Sequence, residues 1–550
     1  MPAPFPTFAP QWIVHHDEHF VVVDKPAGML SIEREAGGEG ALVTRLTRHL
    51  GLTRPLAVHS RLDQETSGLI AFALSDRAQR AMADATDRHA LEKTYVAAVT
   101  LAPGARAPSG RMEDTLAERD GLVQIVRSRE GKSAVAHART LRTIERRSLI
   151  EVKLETGRTH QIRVQFAHRG APIAGDLLYG GAPAPRMMLA SVAITLPHPE
   201  RGPLTIARAT PPLFTQWIED AITIEDAWRE ALPIAIERRS DLLAATRRDP
   251  SVATTAFRIF SESGDGVPGL AVDVYGDHLV VHLHDCALDE TSILDGVGGL
   301  GFDGIYLKRR PKKAQDLSQK DLEAHAPSAP VRGEPAPDDL IVREHGVPFH
   351  VRLGDGMSTG LFLDQRENRR RVRELAQGKS VLNLFSYTCA FSVAAAVGGA
   401  RSTLSVDASQ RALDRGRAHE ALAADPSAHR FVADDVFDVL ARLAKRGERF
   451  DLVCVDPPTF STTKRSRWTS GKDWQGLFAK VLAVVIERGS VIATSNDRRM
   501  TQVTFRAHAR AGAELAKVQL ARVVDLAPPL DFRAGPGESP LLKGVLIERG

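Results

Sequence analysis

The strongest constraint on the fold lies in the C-terminal 200 residues, where short apolar runs alternate with segments of helical length. Five such runs follow one another: SVLNLFS, STLSVD, HRFVAD, FDLVCVDPP and GSVIATSN. Buried apolar strands joined by helical crossovers build a parallel sheet that is covered by helices on both faces. The sequence therefore predicts a doubly wound α/β domain from residue 346 to residue 550.

The preceding residues show other patterns. In residues 1–232, short β-branched runs such as HFVVVDK, LIAFAL, KTYVAAVT and SLIEVKLETG lie between turn residues, which predicts a largely antiparallel α+β domain. Residues 233–345 begin with a charged helical segment and continue with FRIFSESGDGVPGLAVDVYGD, which predicts a helical linker and a small β-rich domain. The chain is therefore expected to be multidomain, as its length of 550 residues also indicates.

Composition narrows the classes of function. Hydrophobic residues make up 43% and charged residues 25%, and no apolar run approaches the length of a membrane span, so we expect a cytoplasmic protein without a membrane partner. Cys286, Cys389 and Cys454 lack metal-ligand spacing, which predicts neither a metal site nor a disulfide framework. The net charge is only +4, but basic residues cluster in runs such as GRTHQIRVQFAHR and TKRSR. Such runs suit phosphate contacts and solvated helix faces alike.

Five N-terminal segments point to one chemistry when they are taken together. Asp63 stands two residues after Arg61 in HSRLDQETSGL, and by itself this spacing is typical of a structural ion pair at a turn. However, the chain also carries five segments in a fixed order: VVDKPAGML, RLDQETSGL, KTY, GRTHQIRVQFAHRGAPIAGD and RMMLASVAITLPHP. This arrangement resembles the RluA-type pseudouridine synthases over about residues 15 to 215.

The resemblance implies an active site for isomerising uridine, with no cofactor. It implies that Asp63 is the catalytic carboxylate, that Arg163 is its charge partner and that Tyr95 stacks on a flipped-out uracil. The physical chemistry agrees, because a carboxylate in a site that excludes water needs a neighbouring cation to stay ionised. Arg61 is then expected to contact the RNA substrate.

Polar residues close four consecutive predicted strands of the C-terminal half. They are Asn383, Asp407, Asp434 and Asp456. The carboxyl ends of parallel strands are where such sheets bind nucleotide-like ligands, and Asp407, 24 residues after Asn383, is placed to bind both ribose hydroxyls. Four such positions together indicate a Rossmann-like class I methyltransferase that binds S-adenosylmethionine (SAM).

Four segments of the C-terminal half resemble the RlmK/RlmI-type methyltransferases of large-subunit ribosomal RNA. They are TGLFLDQREN, VLNLFSYT, GGARSTLSVDAS and FDLVCVDPPTFSTTKR. Cys389 stands where relatives commonly have glycine. The resemblance implies a target-base pocket formed by Pro457, Pro458, Phe460 and Asn496. It implies a SAM site formed by Asp364, Asn383, Phe385, Tyr387, Thr388, Asp407, Asp434 and Asp456.

The RlmK/RlmI-type group has two branches that methylate different bases, and the sequence favours one of them. Methylation of cytosine C5 needs a thiolate, which those enzymes carry after the fifth strand, where this chain reads ATSNDRR. Guanine N7 already has a lone pair and needs only positioning. We therefore expect N7 methylation of a guanine in RNA, with 23S rRNA or a large-subunit assembly intermediate as the partner. The alternatives are 5-methylcytosine formation, another substrate such as DNA or protein, or one silent half that acts as an RNA-binding or ribosome-assembly module.

Overall fold

The computed structural model describes residues 7–34, 38–54, 56–88, 91–119, 121–127, 130–310, 319–462, 467–471, 473–535 and 537–550. The N-terminal part is built on a ten-stranded sheet with the order β1-β2-β3-β9-β4-β8-β7-β5-β6, and β10 pairs with β9. The strands are β1 Ile13–His16, β2 Phe20–Lys25, β3 Ser67–Ala73, β4 Lys93–Thr100, β5 Gly110–Arg119, β6 Leu122–Ile125, β7 Lys132–Ile144, β8 Arg147–Leu154, β9 Leu189–His198 and β10 Gly202–Ala207.

This sheet is antiparallel except where β3 meets β9, so the predicted α+β architecture is confirmed. Gly68 lies at that parallel crossing with φ +107°, and a Cβ there would be 2.2 Å from the carbonyl oxygen of Ser191. Glycine is therefore required by the approach of two strands. The helices are α1 Leu42–His49, α2 Asp76–Asp87, α3 Gln161–His168 and α4 Pro212–Ile218.

The middle part contains a five-stranded sheet of order β11-β12-β13-β14-β15. Its strands are β11 Ala256–Ser261, β12 Leu270–Tyr275, β13 His278–Leu283, β14 Gly304–Arg309 and β15 Arg332–Gly333, and its helices are α5 Ile224–Arg238, α6 Ser240–Ala245, α7 Glu290–Gly298 and α8 Gln319–His325. Trp228 of α5 packs edge-on against Phe260 of β11 at 5.1 Å between ring centroids. Helix α5 is continuous across residue 232, where the sequence predicts a domain boundary.

The C-terminal part begins with the hairpin β16 Leu340–Glu344 and β17 Val347–Val351, whose turn contains the predicted boundary after residue 345. The seven-stranded sheet that follows has the order β20-β19-β18-β21-β24-β26-β25. Its strands are β18 Ser380–Leu384, β19 Ser402–Asp407, β20 His429–Ala433, β21 Phe450–Val455, β24 Val485–Ser495, β25 Leu520–Leu526 and β26 Lys543–Arg549, and β22 Phe460–Thr462 pairs with β23 Arg467–Thr469.

The five predicted strands of this sheet are parallel, as expected from the alternating pattern. Two antiparallel strands, β25 and β26, extend the sheet at the β24 edge. The helices are α9 Arg366–Leu375, α10 Ala390–Val397, α11 Gln410–Arg417, α12 Glu420–Ala423, α13 Val436–Arg446, α14 Trp474–Leu482 and α15 Gln502–Ala516. None of the helices in the described part of the chain combines the length and apolarity that a membrane crossing requires.

Buried charges at the end of α5 join all three parts of the chain. Arg238 pairs with Glu65 at 2.6 Å and with Asp265 at 2.8 Å, and Arg239 pairs with Asp265 at 2.6 Å. Arg239 also donates to the carbonyl oxygen of Asp531 at 2.7 Å. We call Glu65, Arg238, Arg239, Asp265 and Asp531 the interdomain cluster. Its N-terminal member, Glu65, lies two residues after Asp63, so the cluster reaches the loop that carries the predicted catalytic carboxylate.

Candidate active sites

A cavity of about 240 Å³ lies where the loop before β3, the start of β4 and the start of α3 meet. The residues that line it include Arg61, Asp63, Lys93, Tyr95, His160 and Arg163. The structure thus brings together the four N-terminal residues selected from the sequence, although Asp63 and Arg163 are 100 positions apart.

Asp63 is held by an arginine that is itself held by a second carboxylate. Arg163 donates from one terminal nitrogen to Asp63 Oδ2 at 3.2 Å. Its Nε and other terminal nitrogen donate to the two oxygens of Asp176 at 2.7 and 2.8 Å. Burial by itself lowers the pKa of Arg163, but the two carboxylates raise it above its ordinary value, so the guanidinium stays charged. Asp176 was not selected from the sequence, although it ends the segment GRTHQIRVQFAHRGAPIAGD.

The neighbouring side chains give the cavity one aromatic wall and two further cations. Tyr95 is 6% exposed and follows a bulge in the pairing of β4 with β9, which turns its ring toward the cavity. Burial lowers the pKa of Lys93 to about 8, which places a readily exchanged proton beside Tyr95. Arg61 is exposed at the mouth.

The loop that carries Asp63 is fixed by buried polar contacts. Ser31 Oγ donates to the carbonyl oxygen of Leu62 at 2.7 Å. Lys25 is fully buried and donates to the carbonyl oxygens of Gln64 at 3.1 Å and Met29 at 2.7 Å. Because the residues on both sides of Asp63 are anchored, its carboxylate is preorganised toward Arg163.

A second, larger cavity of about 630 Å³ lies at the carboxyl ends of the parallel strands in the C-terminal sheet. The turn after β18 is unusual, because Phe385, Tyr387 and Cys389 all have positive φ, at 55°, 47° and 63°. Three non-glycine residues in this region store strain, which is common where a backbone is shaped for a ligand. The turn is secured by Asp407 Oδ2, which accepts a hydrogen bond from the Tyr387 backbone N–H at 2.8 Å.

Two carboxylates line one side of this cavity. Asp456 Oδ1 accepts a hydrogen bond from Thr494 Oγ1 at 2.7 Å, and Thr494 in turn accepts one from Gln365 Nε2 at 2.8 Å. Burial raises the pKa of Asp456 to about 7, and the nearby Asp364 carboxylate adds to this rise. Burial also raises the pKa of Asp364. A pair of acids with raised pKa values in a cavity is typical of a functional site.

Another part of the lining suits a planar ring. Asn496 Oδ1 accepts a hydrogen bond from Thr459 Oγ1 at 2.8 Å, which leaves the Asn496 amide N–H groups to donate elsewhere. The carbonyl oxygen of Pro458 accepts a hydrogen bond from Trp468 Nε1 at 2.7 Å, which fixes the loop after β21. Phe362 and Phe460 line the cavity with half-exposed rings.

The two parts of the chain that contain these cavities each match a known enzyme family. Residues 19–168 match the RNA pseudouridylate synthase family, and residues 318–534 match the S-adenosylmethionine-dependent methyltransferase family. YwbD of Bacillus subtilis, provisionally assigned as a ribosomal RNA large subunit methyltransferase, is 34% identical over 306 residues, which are 54% of this chain and 75% of YwbD. The chain joins a pseudouridylate synthase to a SAM-dependent methyltransferase.

Two further relatives match the methyltransferase half. Ribosomal RNA large subunit methyltransferase I of Escherichia coli K12 is 32% identical over 258 residues, which are 46% of this chain and 63% of that protein. The chain therefore spans a little under two thirds of the E. coli relative. SMU.776, provisionally assigned as a methyltransferase and solved with SAH, is 27% identical with a TM-score of 0.51, covering 65% of this chain and 88% of that one.

The methyltransferase cavity fits SAM in size and in its donor set. Asp407 closes β19 with its carboxylate in the cavity wall, where a ribose would be held, and the strained turn after β18 presents its backbone beside it. When bound, SAM supplies an activated methyl group. Ten residues predicted from the sequence line the cavity: Asp364, Phe385, Tyr387, Thr388, Asp407, Asp456, Pro457, Pro458, Phe460 and Asn496.

Two predicted SAM ligands lie outside the lining. Asn383 is buried beneath the turn, where its Nδ2 donates to Ser392 Oγ at 3.0 Å. Asp434 pairs with Arg442 at 2.7 Å, and its neighbour Asp435 lines the cavity instead. Two adjacent aspartates could not be distinguished from the sequence, because the choice between them depends on where β20 ends. The basic run around residues 463–466 lies outside the described residues.

The raised pKa of Asp456 predicts a pH-dependent stability. The ordinary pKa of Asp456 is 3.8, and its pKa in the folded protein is about 7. Between these pH values the folded protein holds a proton that the unfolded chain has released. The free energy of unfolding is therefore highest at low pH and falls as the pH rises through 7. Asp456→Asn should therefore stabilise the SAM-free protein at pH 8, and the gain should shrink as the pH falls toward 4. Urea unfolding at pH 8 and pH 5 measures this.

Asp434→Asn provides the matched control for this prediction. Asp434 is paired with Arg442 and follows β20, the edge strand of the same sheet, so its amide variant should give no stabilisation at pH 8. Equal effects of the two substitutions at pH 8 would contradict the assignment of the raised pKa to Asp456.

Proposed function

We propose that the chain modifies ribosomal RNA twice, forming pseudouridine in the N-terminal cavity and methylating guanine at N7 in the C-terminal cavity. The observation that carries the proposal is the Asp63–Arg163 ion pair beside the buried ring of Tyr95. The names of the relatives, which are ribosomal RNA large subunit methyltransferases, support 23S rRNA as the shared substrate. We place the enzyme in the cytoplasm, where this RNA is made.

The first reaction breaks the bond between N1 of uracil and C1′ of ribose, turns the base and joins C5 to C1′. Asp63, which accepts a hydrogen bond from the guanidinium of Arg163, either attacks C1′ or removes the C2′ proton; both routes need the same carboxylate in the same place. Tyr95 stacks on the uracil while it is detached, which keeps the base from diffusing away. Arg61 and Lys93 contact the phosphate backbone or the carbonyl groups of the base.

The chemistry of the second cavity favours guanine N7 over cytosine C5. Attack on cytosine C6 needs a thiolate, and no cysteine is among the described residues that line the cavity. Cys454 is buried within β21, and burial raises its pKa well above the usual range of a thiol. Methylation at N7 makes the guanine cationic, and the carboxylates of Asp364 and Asp456 stabilise this charge. Asn496 donates to the guanine edge, and Phe460 stacks on the ring.

The packing of the elements suggests where the three domains begin and end. We propose that the synthase ends before α5, that α5 to β15 form the connecting domain, and that the methyltransferase begins at β16. Residues 1–232, 233–345 and 346–550, predicted from the sequence alone, differ from this division by a few residues. Because the two catalytic domains are joined, binding one RNA segment raises the local concentration of nearby segments for the second site.

A strain that lacks the gene tests the proposal. Its 23S rRNA should lack one pseudouridine and one N7-methylguanosine, and a plasmid copy of the gene should restore both. Mass spectrometry of nuclease fragments measures the two marks and identifies the methylated base. Retention of every pseudouridine and every methylated base would refute the proposal. If the strain lacks a 5-methylcytidine instead, the methylated base is cytosine and not guanine. If only one of the two marks is lost, the half of the chain assigned to the other mark acts as an RNA-binding module.

A further inference from the structure

A histidine lies in the synthase cavity with no part in the chemistry described so far. His160 directly precedes α3 in the left-handed conformation, with φ 54°. Its ring lines the same cavity as Asp63 and Tyr95, and its Nε2 lies 3.9 Å from Asp63 Oδ2. A uracil that contacts Asp63 and stacks on Tyr95 must therefore also lie beside this imidazole.

Neighbouring hydrogen bonds fix the tautomer of His160. The hydroxyl of Tyr179 donates its single hydrogen to the carbonyl oxygen of Val123 at 3.2 Å. It can therefore only accept from His160 Nδ1, which lies 2.9 Å away. With the hydrogen on Nδ1, the Nε2 atom of the neutral ring carries a free lone pair, and this is the atom on the side of Asp63.

The surrounding charges favour the neutral ring. Burial lowers the pKa of His160, and the guanidinium of Arg163 lowers it further, while Asp63, Asp176 and Glu118 act in the opposite direction. The outcome is a pKa below the ordinary value of histidine, so Nε2 is available to take a proton at neutral pH. Asp63 is less suited to this role, because its Oδ2 already accepts a hydrogen bond from Arg163.

We propose that His160 is the base that removes the C5 proton of uracil after C5 has bonded to C1′. The C5–H electron pair forms the C5=C6 double bond, the electrons of the former N1=C6 bond move to N1, and the imidazolium returns the proton to N1. No atom is gained or lost, since pseudouridine differs from uridine by exchange of the N1–C1′ and C5–H bonds for C5–C1′ and N1–H. This inference rests on the proposed pseudouridine formation and assigns a step within it.

The isotope effect at C5 distinguishes a base from a structural residue. With a 23S rRNA transcript made from uridine or 5-deuterouridine, the full-length His160→Gln variant should form pseudouridine about 10²-fold more slowly than the wild type. Because deprotonation then limits the rate, a primary deuterium isotope effect should appear that is absent or smaller in the wild type. Tyr179→Phe, which removes the acceptor that fixes the tautomer, should give a smaller loss with the same signature.

His168→Gln is the matched control, because His168 ends the same helix on its exposed side and lies outside the cavity lining. It should leave the rate unchanged, and methylation by each variant should confirm that the chain is folded. A His160→Gln variant with the wild-type rate, or a slower one with no larger isotope effect, overturns the role of His160. A wild-type chain that forms no pseudouridine on any ribosomal RNA overturns the proposed function itself, and this inference with it.

Discussion

Replacing Asp63 by alanine is expected to lower pseudouridine formation by at least about 10³-fold, the scale on which an essential acid–base or nucleophilic group acts. Glu155, the other carboxylate among the described residues that line the cavity, pairs with His137 instead. Asp176 is fully buried, and its oxygens accept hydrogen bonds from Arg163 and from the backbone N–H groups of Leu178 and Tyr179. Mass spectrometry of 23S rRNA from cells that carry the variant measures the lost mark.

Methylation provides an internal control for this result. The Asp63→Ala chain should methylate its base at the wild-type rate, because the second cavity lies in a separate domain, and Asp456→Ala should show the reverse pattern. Asp220→Ala, which removes an exposed carboxylate paired with Arg147, should change neither mark. If the Asp63→Ala chain keeps every pseudouridine, the assignment of the active site is wrong.

The second large effect concerns stability. Replacing Arg238 by alanine is expected to lower the free energy of the first unfolding transition by about 3–5 kcal/mol, because it removes the buried cation that pairs with both Glu65 and Asp265. Burial by itself raises the pKa of Glu65, but Arg238 and Arg533 hold it down to about 2, so Glu65 is ionised and depends on these cations. Asp265 is completely buried and pairs with Arg238 and Arg239. Urea unfolding at pH 7 measures the loss.

Arg229 supplies the matched control within the same helix. It also lies on α5, but its side chain is 75% exposed and pairs only with Asp226 among the described residues. Arg229→Ala should therefore change the free energy of unfolding by less than about 0.5 kcal/mol. Similar losses from the two substitutions would mean that the interdomain cluster does not hold the domains together.

The elements that follow from local pattern were predictable. The five parallel strands of the methyltransferase follow from apolar runs of strand length between helical segments, which require no knowledge of distant contacts. The antiparallel strands β25 and β26 were not predicted, because β25 is largely exposed and its sequence LARVVDL shows no strict alternation. The domain boundaries stay a prediction, since the domain to which α5 and the hairpin of β16 and β17 belong depends on packing, which short sequence patterns do not determine.

Some residues of the candidate sites were also predictable from local sequence, and others depend on tertiary contacts. The pairing of Asp63 with Arg163 was accessible through the resemblance of five segments. Asp176 was not, because its role depends on a three-dimensional contact with the guanidinium. Likewise, Asp434 and Asp435 are equivalent in sequence, and only the end of β20 decides which one faces the cavity.

The sequence alone determined the fusion of two enzymes, the class of each fold and most residues of the two cavities, because these depend on short motifs and on hydrophobic periodicity. Only the tertiary structure decided how the parts are joined and which atoms face one another. The tautomer of His160 depends on Tyr179 and Val123, and the interdomain cluster links Glu65 to Arg238 across 173 positions. Charges and hydrogen bonds act through space, so their partners are set only once the chain is folded.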